Sequence, residues 1–226
     1  MLFRSGNEIF GLYGFGPYSG FEIGQGVANS IIERNKIHDI QATNSTRASG
    51  IYITSNANAS LTFSNNMIWH VLNNGTVDFT NAATGFHVQS GGGQSFYFNS
   101  VNLFGNRDTV GANKPDAPSA GIYIVSTASN IIMKDNIFAN TMTAPGKSPK
   151  SYAVYLESNA SLTTSDYNAF FISGSEGVLA YAAGDRTSLL SWQSATAQDA
   201  NSTTSNPQFI SNNDLHIRTE IGRAHV

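Results

Sequence analysis

The chain has 226 residues, a formal net charge of −3 and only 12% charged residues. This size and composition are typical of one ordinary soluble domain, or of part of a larger one. The slight acidity argues against a nucleic-acid partner, because such a partner requires a basic face. No apolar run approaches the ~20 residues of a membrane-spanning helix. Cysteine is absent, which excludes a disulfide framework and a thiol nucleophile.

The first residues, Met1–Asn7, lack the apolar segment and the cleavage site of a signal peptide. They have instead the pattern of a strand end within a repeat, because Asn7 and Ile9 have the same spacing as Asn35 and Ile37. We therefore expect the true start of the protein to lie upstream.

A seven-residue segment recurs along the chain. Its copies are SGIYITS (49–55), TGFHVQS (84–90), AGIYIVS (120–126), YAVYLES (152–158) and a weaker SGFEIGQ (19–25). The intervals between copies are 30, 35, 36 and 32 residues. A period of this size indicates a protein built from stacked repeats.

Each copy alternates apolar and polar residues, which predicts a strand with one buried face. The first inward column is Phe21, Ile51, Phe86, Ile122 and Val154, and the second is Ile23, Ile53, Val88, Ile124 and Leu156. The outward column between them is Glu22, Tyr52, His87, Tyr123 and Tyr155. The leading glycine marks a point where the backbone takes a positive φ or passes close to a neighbour.

A second strand and then a turn follow each copy. The predicted inward residues of the second strand are Leu61 and Phe63, Phe96 and Phe98, Ile131 and Met133, and Leu162 and Thr164. The predicted turn pairs are Asn7/Ile9, Asn35/Ile37, Asn66/Ile68, Val101/Leu103, Asn136/Phe138 and Tyr167/Ala169. In two of the coils, the first residue of the predicted pair is therefore not asparagine. Asparagine suits such turns because it tolerates a left-handed φ, and stacked asparagines can bond to one another.

No helical pattern separates these strands, so alternating β-α-β units are excluded and an all-β solenoid is predicted. The pattern G-[IF]-[YH]-[IV]-x-S followed by I-x-x-N-x-I resembles the right-handed parallel β-helix of the pectate-lyase-like superfamily, over about residues 3–170. The resemblance implies about six coils within residues 1–170. It implies no single activity, because that superfamily includes lyases, hydrolases, adhesins and proteins of no known activity.

The repeat fades after residue 170, and residues 171–219 are predicted to form an irregular closing segment. A short helix is expected near Leu189, with Thr187 or Ser188 as its N-cap. We expect Trp192 and Phe209 to pack on the side or end of the β-helix. The stretch from residue 166 to 216 resembles a segment that closes β-helices in large secreted proteins of Bacteroidetes, which implies an extracellular or cell-surface location.

The last residues, 220–226, form a separate feature. Ile221–Val226 resembles the in-frame translation of a common sequencing-library adapter. We expect this tail to be non-native and the chain to be a fragment from environmental bacterial DNA. The alternative is a genuine short tail.

Few residues suggest chemistry. Asp135 and Asp166 are placed at equivalent positions of adjacent coils, where two stacked carboxylates could hold calcium or act as turn residues. Pectate lyases also use an Arg or Lys base, but Arg34 lies three coils away. The Asn-Thr-Asp, Asp-Asp and Gly-His-Gly motifs of polygalacturonase-like hydrolases are absent from the sequence. No catalytic or metal-binding residue is therefore predicted, and calcium is the one cofactor left open.

The outward column offers a binding site. Aromatic side chains in a row can stack on sugar rings, so Tyr52, His87, Tyr123 and Tyr155 are the predicted carbohydrate-binding residues. Alternatively they stabilise the sheet by cross-strand contact, or the loops 70–83 and 105–119 fold over them. The predicted function is a non-catalytic module of a secreted or cell-surface protein, a spacer, adhesin or binder of polysaccharides or cell-surface glycans. The alternative is a polysaccharide lyase or glycoside hydrolase whose active site is degenerate or missing here.

Overall fold

The computed structural model describes residues 3–43, 46–74, 82–110 and 114–218. Its strands, in chain order, are β1 (Phe3–Ser5), β2 (Glu8–Gly14), β3 (Tyr18–Ile23), β4 (Ile31–Glu33), β5 (Lys36–Ala42), β6 (Ala48–Thr54), β7 (Leu61–Ser64), β8 (Met67–Asn73), β9 (Ala83–Ser90), β10 (Gln94–Tyr97), β11 (Ser100–Leu103), β12 (Ser119–Ile124), β13 (Ile131–Lys134), β14 (Ile137–Asn140), β15 (Ser151–Leu156), β16 (Leu162–Asp166), β17 (Ala169–Ile172), β18 (Gly177–Ala182), β19 (Asp185–Arg186), β20 (Phe209–Ser211) and β21 (Asp214–Ile217). The α-helix is α1 (Leu189–Thr196).

These strands build three parallel sheets that share one core. Sheet A is β1-β4-β7-β10-β13-β16, sheet B is β2-β5-β8-β11-β14-β17, and sheet C is β3-β6-β9-β12-β15-β18 with β19 added antiparallel at its end. Every strand up to β15 therefore pairs in parallel with the strand three elements later. The predicted right-handed parallel β-helix is confirmed.

Both predicted inward columns are in register across sheet C. Ile51 lies beside Phe21 and Phe86, and Ile122 lies beside Phe86 and Val154. From the second coil to the fifth, these inward side chains are completely buried. Each Ile or Phe removed from water in this way contributes about 1.5–3 kcal/mol, so the columns carry much of the stability.

The β-helix extends beyond residue 170, where the sequence pattern fades. β17 continues sheet B, and β18 continues sheet C by pairing with β15. The inward positions of β18 are Ala180 and Ala182, which lie beside Val154 and Leu156. Because alanine contributes little to an apolar alternation, this copy of the strand is hard to recognise in the sequence.

An unbroken asparagine ladder runs along the turn between sheets A and B. Its members are Asn7, Asn35, Asn66, Asn99, Asn136 and Asn168. Each of the first five donates its side-chain amide to the side chain of the next at 2.8–3.1 Å. The predicted departures at Val101/Leu103 and Tyr167/Ala169 are therefore wrong. The true turn pairs in those two coils are Asn99/Val101 and Asn168/Phe170.

The left-handed residue of each turn is the one before the ladder asparagine. These residues are Gly6, Arg34, Asn65, Phe98, Asp135 and Tyr167, with φ between 52° and 68°. Phe98 is 58% exposed as a result, and its predicted inward position is wrong. Gln94 and Phe96 are the inward residues of β10, both completely buried.

The predicted inward position of Thr164 is also wrong. The register between β13 and β16 shifts after Ile131, so that Thr164 lies beside the outward Ile132. Ser165, which is 1% exposed, takes the inward place next to Met133.

The C-terminal end of the core is closed by α1. Ser188 caps the helix by accepting a hydrogen bond from the Ser191 amide, as one of the two predicted N-caps. Trp192 is completely buried and packs against the Phe170 ring, with centroids 6.2 Å apart. Its predicted role at the end of the β-helix is confirmed by this contact.

Asp199 joins the closing segment to the asparagine ladder, a role that was not predicted from the sequence. Its Oδ1 accepts hydrogen bonds from Asn168 Nδ2 (3.0 Å), Ser165 Oγ (3.0 Å) and Ser202 Oγ (2.6 Å). Its Oδ2 accepts from Trp192 Nε1 at 2.8 Å. Four donors compensate the burial of a carboxylate that is only 1% exposed.

A hairpin formed by β20 and β21 lies against the outer face of sheet B. Leu215 is 2% exposed, and Asn102 Nδ2 on β11 donates to the Asn212 carbonyl at 3.2 Å.

Within the described parts of the chain, no helix has the length and apolar character needed to cross a membrane. The predicted adapter-derived tail, residues 220–226, lies outside the described residues.

Candidate functional site

The outer face of sheet C carries an aromatic row. It consists of Tyr52, His87, Tyr123, Tyr155 and Tyr181, each beside the next in the strand register. Successive ring centroids lie 4.9, 4.7, 5.7 and 4.2 Å apart. The structure therefore brings the four predicted binding residues together and adds Tyr181 from the sixth coil.

Burial divides the aromatic row into a covered centre and two accessible ends. His87 is completely buried and Tyr123 is 3% exposed, whereas Tyr52, Tyr155 and Tyr181 are half-buried. The covering loops expected at 70–83 and 105–119 contain residues 75–81 and 111–113, which lie outside the described residues. A ligand on this face can reach Tyr52 at one end and the Tyr155–Tyr181 pair at the other.

Charged side chains flank the Tyr52 end of the row. The Arg47 guanidinium lies over the Tyr52 ring, 3.7 Å from its centroid, and forms an ion pair with Glu22. A cation over an aromatic face is attracted by the ring quadrupole, which fixes the Tyr52 side chain in place.

The Tyr155–Tyr181 end has its own polar groups. The two rings are stacked with an interplanar angle of 4°, and Tyr152 packs edge-on against both. Tyr152 donates its hydroxyl to Asp185 at 2.9 Å, and Asp185 also pairs with Lys150. Burial, reinforced by neighbouring tyrosines and acids, raises the pKa of Tyr152 and Tyr155 far above the usual value, so both hydroxyls stay protonated and can donate.

His87 is held neutral at the centre of the row. Its Nε2 lies 2.9 Å from Gln89 Oε1, while Nδ1 has no hydrogen-bond partner. Burial lowers the pKa of His87 to about 4, despite an opposing effect of the Gln89 bond. The unfolded chain, with an ordinary histidine pKa of about 6.5, therefore takes up a proton before the folded chain does as the pH falls.

This difference predicts acid sensitivity. We expect His87 to cost the protein about 2 kcal/mol of stability between pH 7 and pH 5, with the loss complete below about pH 4. Urea unfolding followed by circular dichroism at several pH values measures the loss. The His87→Gln variant keeps a polar side chain without the titration, so its stability should change less over the same window. Equal pH profiles for the two proteins would contradict the assignment.

The two calcium candidates do not occupy equivalent positions of their coils. Asp166 lies beside Lys134 in the sheet A register, whereas Asp135 is the left-handed turn residue one position later. Their predicted equivalence is therefore wrong by one residue. Slight burial opposes ionisation of Asp166, but hydrogen bonds from Asn201 N (2.7 Å) and Nδ2 (2.8 Å) outweigh it and keep its pKa below the usual value. Among the described residues, no three His, Cys, Asp or Glu side chains are grouped to hold a metal ion.

A second cluster of titratable groups lies on the outer face of sheet B. Asp39 accepts hydrogen bonds from His38 Nδ1 at 2.8 Å and from His70 Nδ1. The His38 ring is also stacked between Phe10 and Trp69, at centroid distances of 5.2 and 4.2 Å. Because these contacts join side chains of neighbouring strands, we interpret His38 and His70 as structural groups that stabilise sheet B.

Comparison with known proteins gives no significant match to a family model, to a curated protein or to a solved structure. The fold thus rests on the structure itself. Membership of the pectate-lyase-like superfamily and an origin in Bacteroidetes stay predictions.

Proposed function

We propose that the chain is a non-catalytic β-helix module of a secreted or cell-surface protein, and that it binds polysaccharide or cell-surface glycan through the outer face of sheet C. The observation that carries the proposal is the aromatic row, which the register of five successive strands holds in line. The inward columns account for the stability of the coil, whereas the outward positions are free to carry other residue types.

The accessible end at Tyr155 and Tyr181 has the chemistry that a sugar requires. Its tyrosines combine apolar ring surface with protonated hydroxyl groups, and Asp185 and Lys150 stand beside them. Sugars present both C–H faces and hydroxyl groups, so they match a surface of this kind.

The rigidity of the β-helix also supports a binding or spacer role. The aromatic rings are fixed by contacts along the row, and the strands beneath them are fixed by the core and by the asparagine ladder. A surface that is ordered before the ligand arrives loses little conformational entropy on binding. A long polysaccharide could contact both ends of the row at once and gain avidity from the two contacts.

The proposal predicts that removing the accessible rings weakens glycan binding. A glycan array with plant and algal polysaccharides should show binding by the wild-type protein. The Tyr155→Ala/Tyr181→Ala double variant should lose at least about tenfold in affinity, which corresponds to about 1.4 kcal/mol. Tyr52→Ala should reduce binding of long chains only.

Tyr167→Ala is the matched control, because Tyr167 is 57% exposed at a corner away from this face. Circular dichroism spectra would establish that each variant is folded. Identical array profiles for the wild type and the double variant would refute the proposed site.

A further inference from the structure

The hairpin formed by β20 and β21 encloses a cleft on the side of the molecule formed by sheet B. The cleft has a volume of about 450 Å³, within the range of about 300–1,000 Å³ that is usual for small-ligand sites. Its floor is the outward column Asn102, Ala139 and Phe171, whose members are neighbours in the strand register. Sheet C and the aromatic row do not contribute to it.

The accessible part of the cleft floor is the Phe171 ring. In the same column, Trp69 precedes Asn102 and is 6% exposed under its neighbours, whereas Phe171 is half-buried. Ala139 lies between Asn102 and Phe171 and is only 1% exposed, and Asn102 is 5% exposed, so both side chains are nearly covered. The half-buried Phe171 ring is therefore the part of the floor that a ligand can contact.

The hairpin wall of the cleft is fixed without a ligand. Asn102 Nδ2 donates to the Asn212 carbonyl at 3.2 Å, and Leu215 anchors the hairpin by its burial. At the other edge, the Arg218 amide donates to the Gln208 carbonyl at 3.1 Å, and its guanidinium donates to the Ile210 carbonyl at 3.2 Å. The cleft is therefore preorganised rather than formed on binding.

The lining of the cleft favours a ligand rich in hydroxyl groups. Its polar side chains that are exposed or half-buried include Thr141, Asn206, Gln208 and Asn212. An amide side chain both donates and accepts hydrogen bonds, which matches a hydroxyl group, itself both donor and acceptor. The Phe171 ring offers an apolar face to the C–H groups of a sugar ring. Arg218 is the only charged residue among the described lining residues, so a cationic ligand is disfavoured and a neutral or singly acidic ligand is accommodated.

From this geometry we propose that the cleft binds a saccharide of one or two sugar units. The site is separate from the aromatic row and does not depend on the function proposed for it. Arg218, at the rim, would contact an acidic substituent where the saccharide carries one.

Two variants test the cleft. Ser173 is exposed and lines the cleft, so Ser173→Trp fills the space without disturbing the core. Phe171→Ala removes the ring from the floor. Phe98→Ala is the matched control, because Phe98 is 58% exposed at a corner between sheets A and B.

The probes are galactose, cellobiose and galacturonic acid, each titrated into the full chain and followed by amide chemical shifts in NMR spectra. We expect saturable shifts at cleft residues with a dissociation constant of about 1 mM. Ser173→Trp should abolish these shifts, and Phe171→Ala should weaken binding at least about fivefold, in line with the loss of a ring contact. Phe98→Ala and Tyr155→Ala/Tyr181→Ala should bind like the wild type.

Arg218→Gln distinguishes the two sources of the saccharide. If only galacturonic acid binds the wild type and Arg218→Gln weakens that binding, the ligand is an acidic sugar. If galactose or cellobiose binds the wild type and Arg218→Gln leaves that binding unchanged, the ligand is a neutral sugar, and both results support the cleft. The proposal is overturned if none of the three probes shifts cleft resonances at concentrations up to about 20 mM, well above the expected dissociation constant. It is equally overturned if the wild type and Ser173→Trp respond alike.

Discussion

Replacement of Asn99 by alanine should lower the free energy of unfolding by about 3–5 kcal/mol. The Asn99 side chain accepts from the Asn66 backbone and side-chain amides at 3.0 and 2.9 Å. It also donates to the Phe63 carbonyl and to Asn136 Oδ1, both at 2.9 Å. Asn99 is completely buried, so water cannot replace these bonds without entering the core, and each group left unpaired costs about 1–3 kcal/mol.

The expected cost is below the sum of four lost bonds because two partners keep another bond. Asn66 Nδ2 still donates to the Ile32 carbonyl at 2.9 Å, and Asn136 Oδ1 still accepts from the backbone amide of residue 99 at 3.1 Å. Urea unfolding followed by circular dichroism measures the difference.

Asn7→Ala serves as the control within the same ladder. Asn7 is exposed in the first coil, where water can bond to the groups that the substitution leaves unpaired. We therefore expect a loss of less than about 1 kcal/mol. Similar losses for Asn7→Ala and Asn99→Ala would show that burial of the ladder contributes no stability.

The fold could be predicted because the repeated segment has a simple alternation in five copies. The fourth coil shows where this reasoning fails. An inward position of β10 is occupied by the polar Gln94, whose Nε2 donates to Ser55 Oγ at 2.7 Å, while the apolar Phe98 lies exposed at a corner. Both residues break the rule that apolar side chains face inward. The sequence pattern therefore places the turn two residues too late, at Val101/Leu103, and Asn99 is not recognised as its asparagine. The hydrogen bond from Gln94 to Ser55 in the previous coil explains how a polar residue can occupy an inward position of β10.

The candidate site could be predicted from the sequence only in part. Alternation alone places Tyr52, His87, Tyr123 and Tyr155 on one face, but exposure depends on chain segments that are distant in sequence. The sequence also gives no sign of the cleft. Its floor comes from β11, β14 and β17, and its wall comes from a hairpin about 70 residues beyond β14. Long-range packing of this kind leaves no local pattern.

The second large effect is expected for Gly85→Ala, because the leading glycines of the repeat are sites of close approach. Of the two roles that the sequence suggests for them, positive φ does not apply to Gly20, Gly50, Gly85 or Gly121. A Cβ on Gly85 would lie 2.4 Å from the Gly121 carbonyl oxygen and 2.5 Å from Val101 Cγ1. Real Cβ atoms essentially never show such distances, so the strands must move apart.

The cost of that movement should be about 3 kcal/mol, the upper end of the usual range for overpacking a core. The obstacle is the backbone of the next coil, which is bonded into sheet C and cannot rotate away as a side chain can. A thermal or urea unfolding curve at neutral pH measures the effect. Gly20→Ala should cost less, although its Cβ would lie 2.3 Å from Ile37 Cγ2, because its distance to the carbonyl oxygen of the next coil is longer, at 2.8 Å, and Gly20 is only half-buried in the first coil.

Gly24→Ala is the matched control for the glycine column. Gly24 is exposed, has no positive φ, and a Cβ there would meet no atom within 4 Å. The substitution should change stability by less than about 1 kcal/mol, and it should favour the folded state because alanine restricts the unfolded chain. In the fifth coil, Ala153 occupies the position of the glycine and is completely buried, so the column accepts a methyl group where the spacing allows it. If Gly85→Ala proved as stable as Gly24→Ala, the spacing at Gly85 would be adjustable, and the close approach would not be what selects glycine in the repeat.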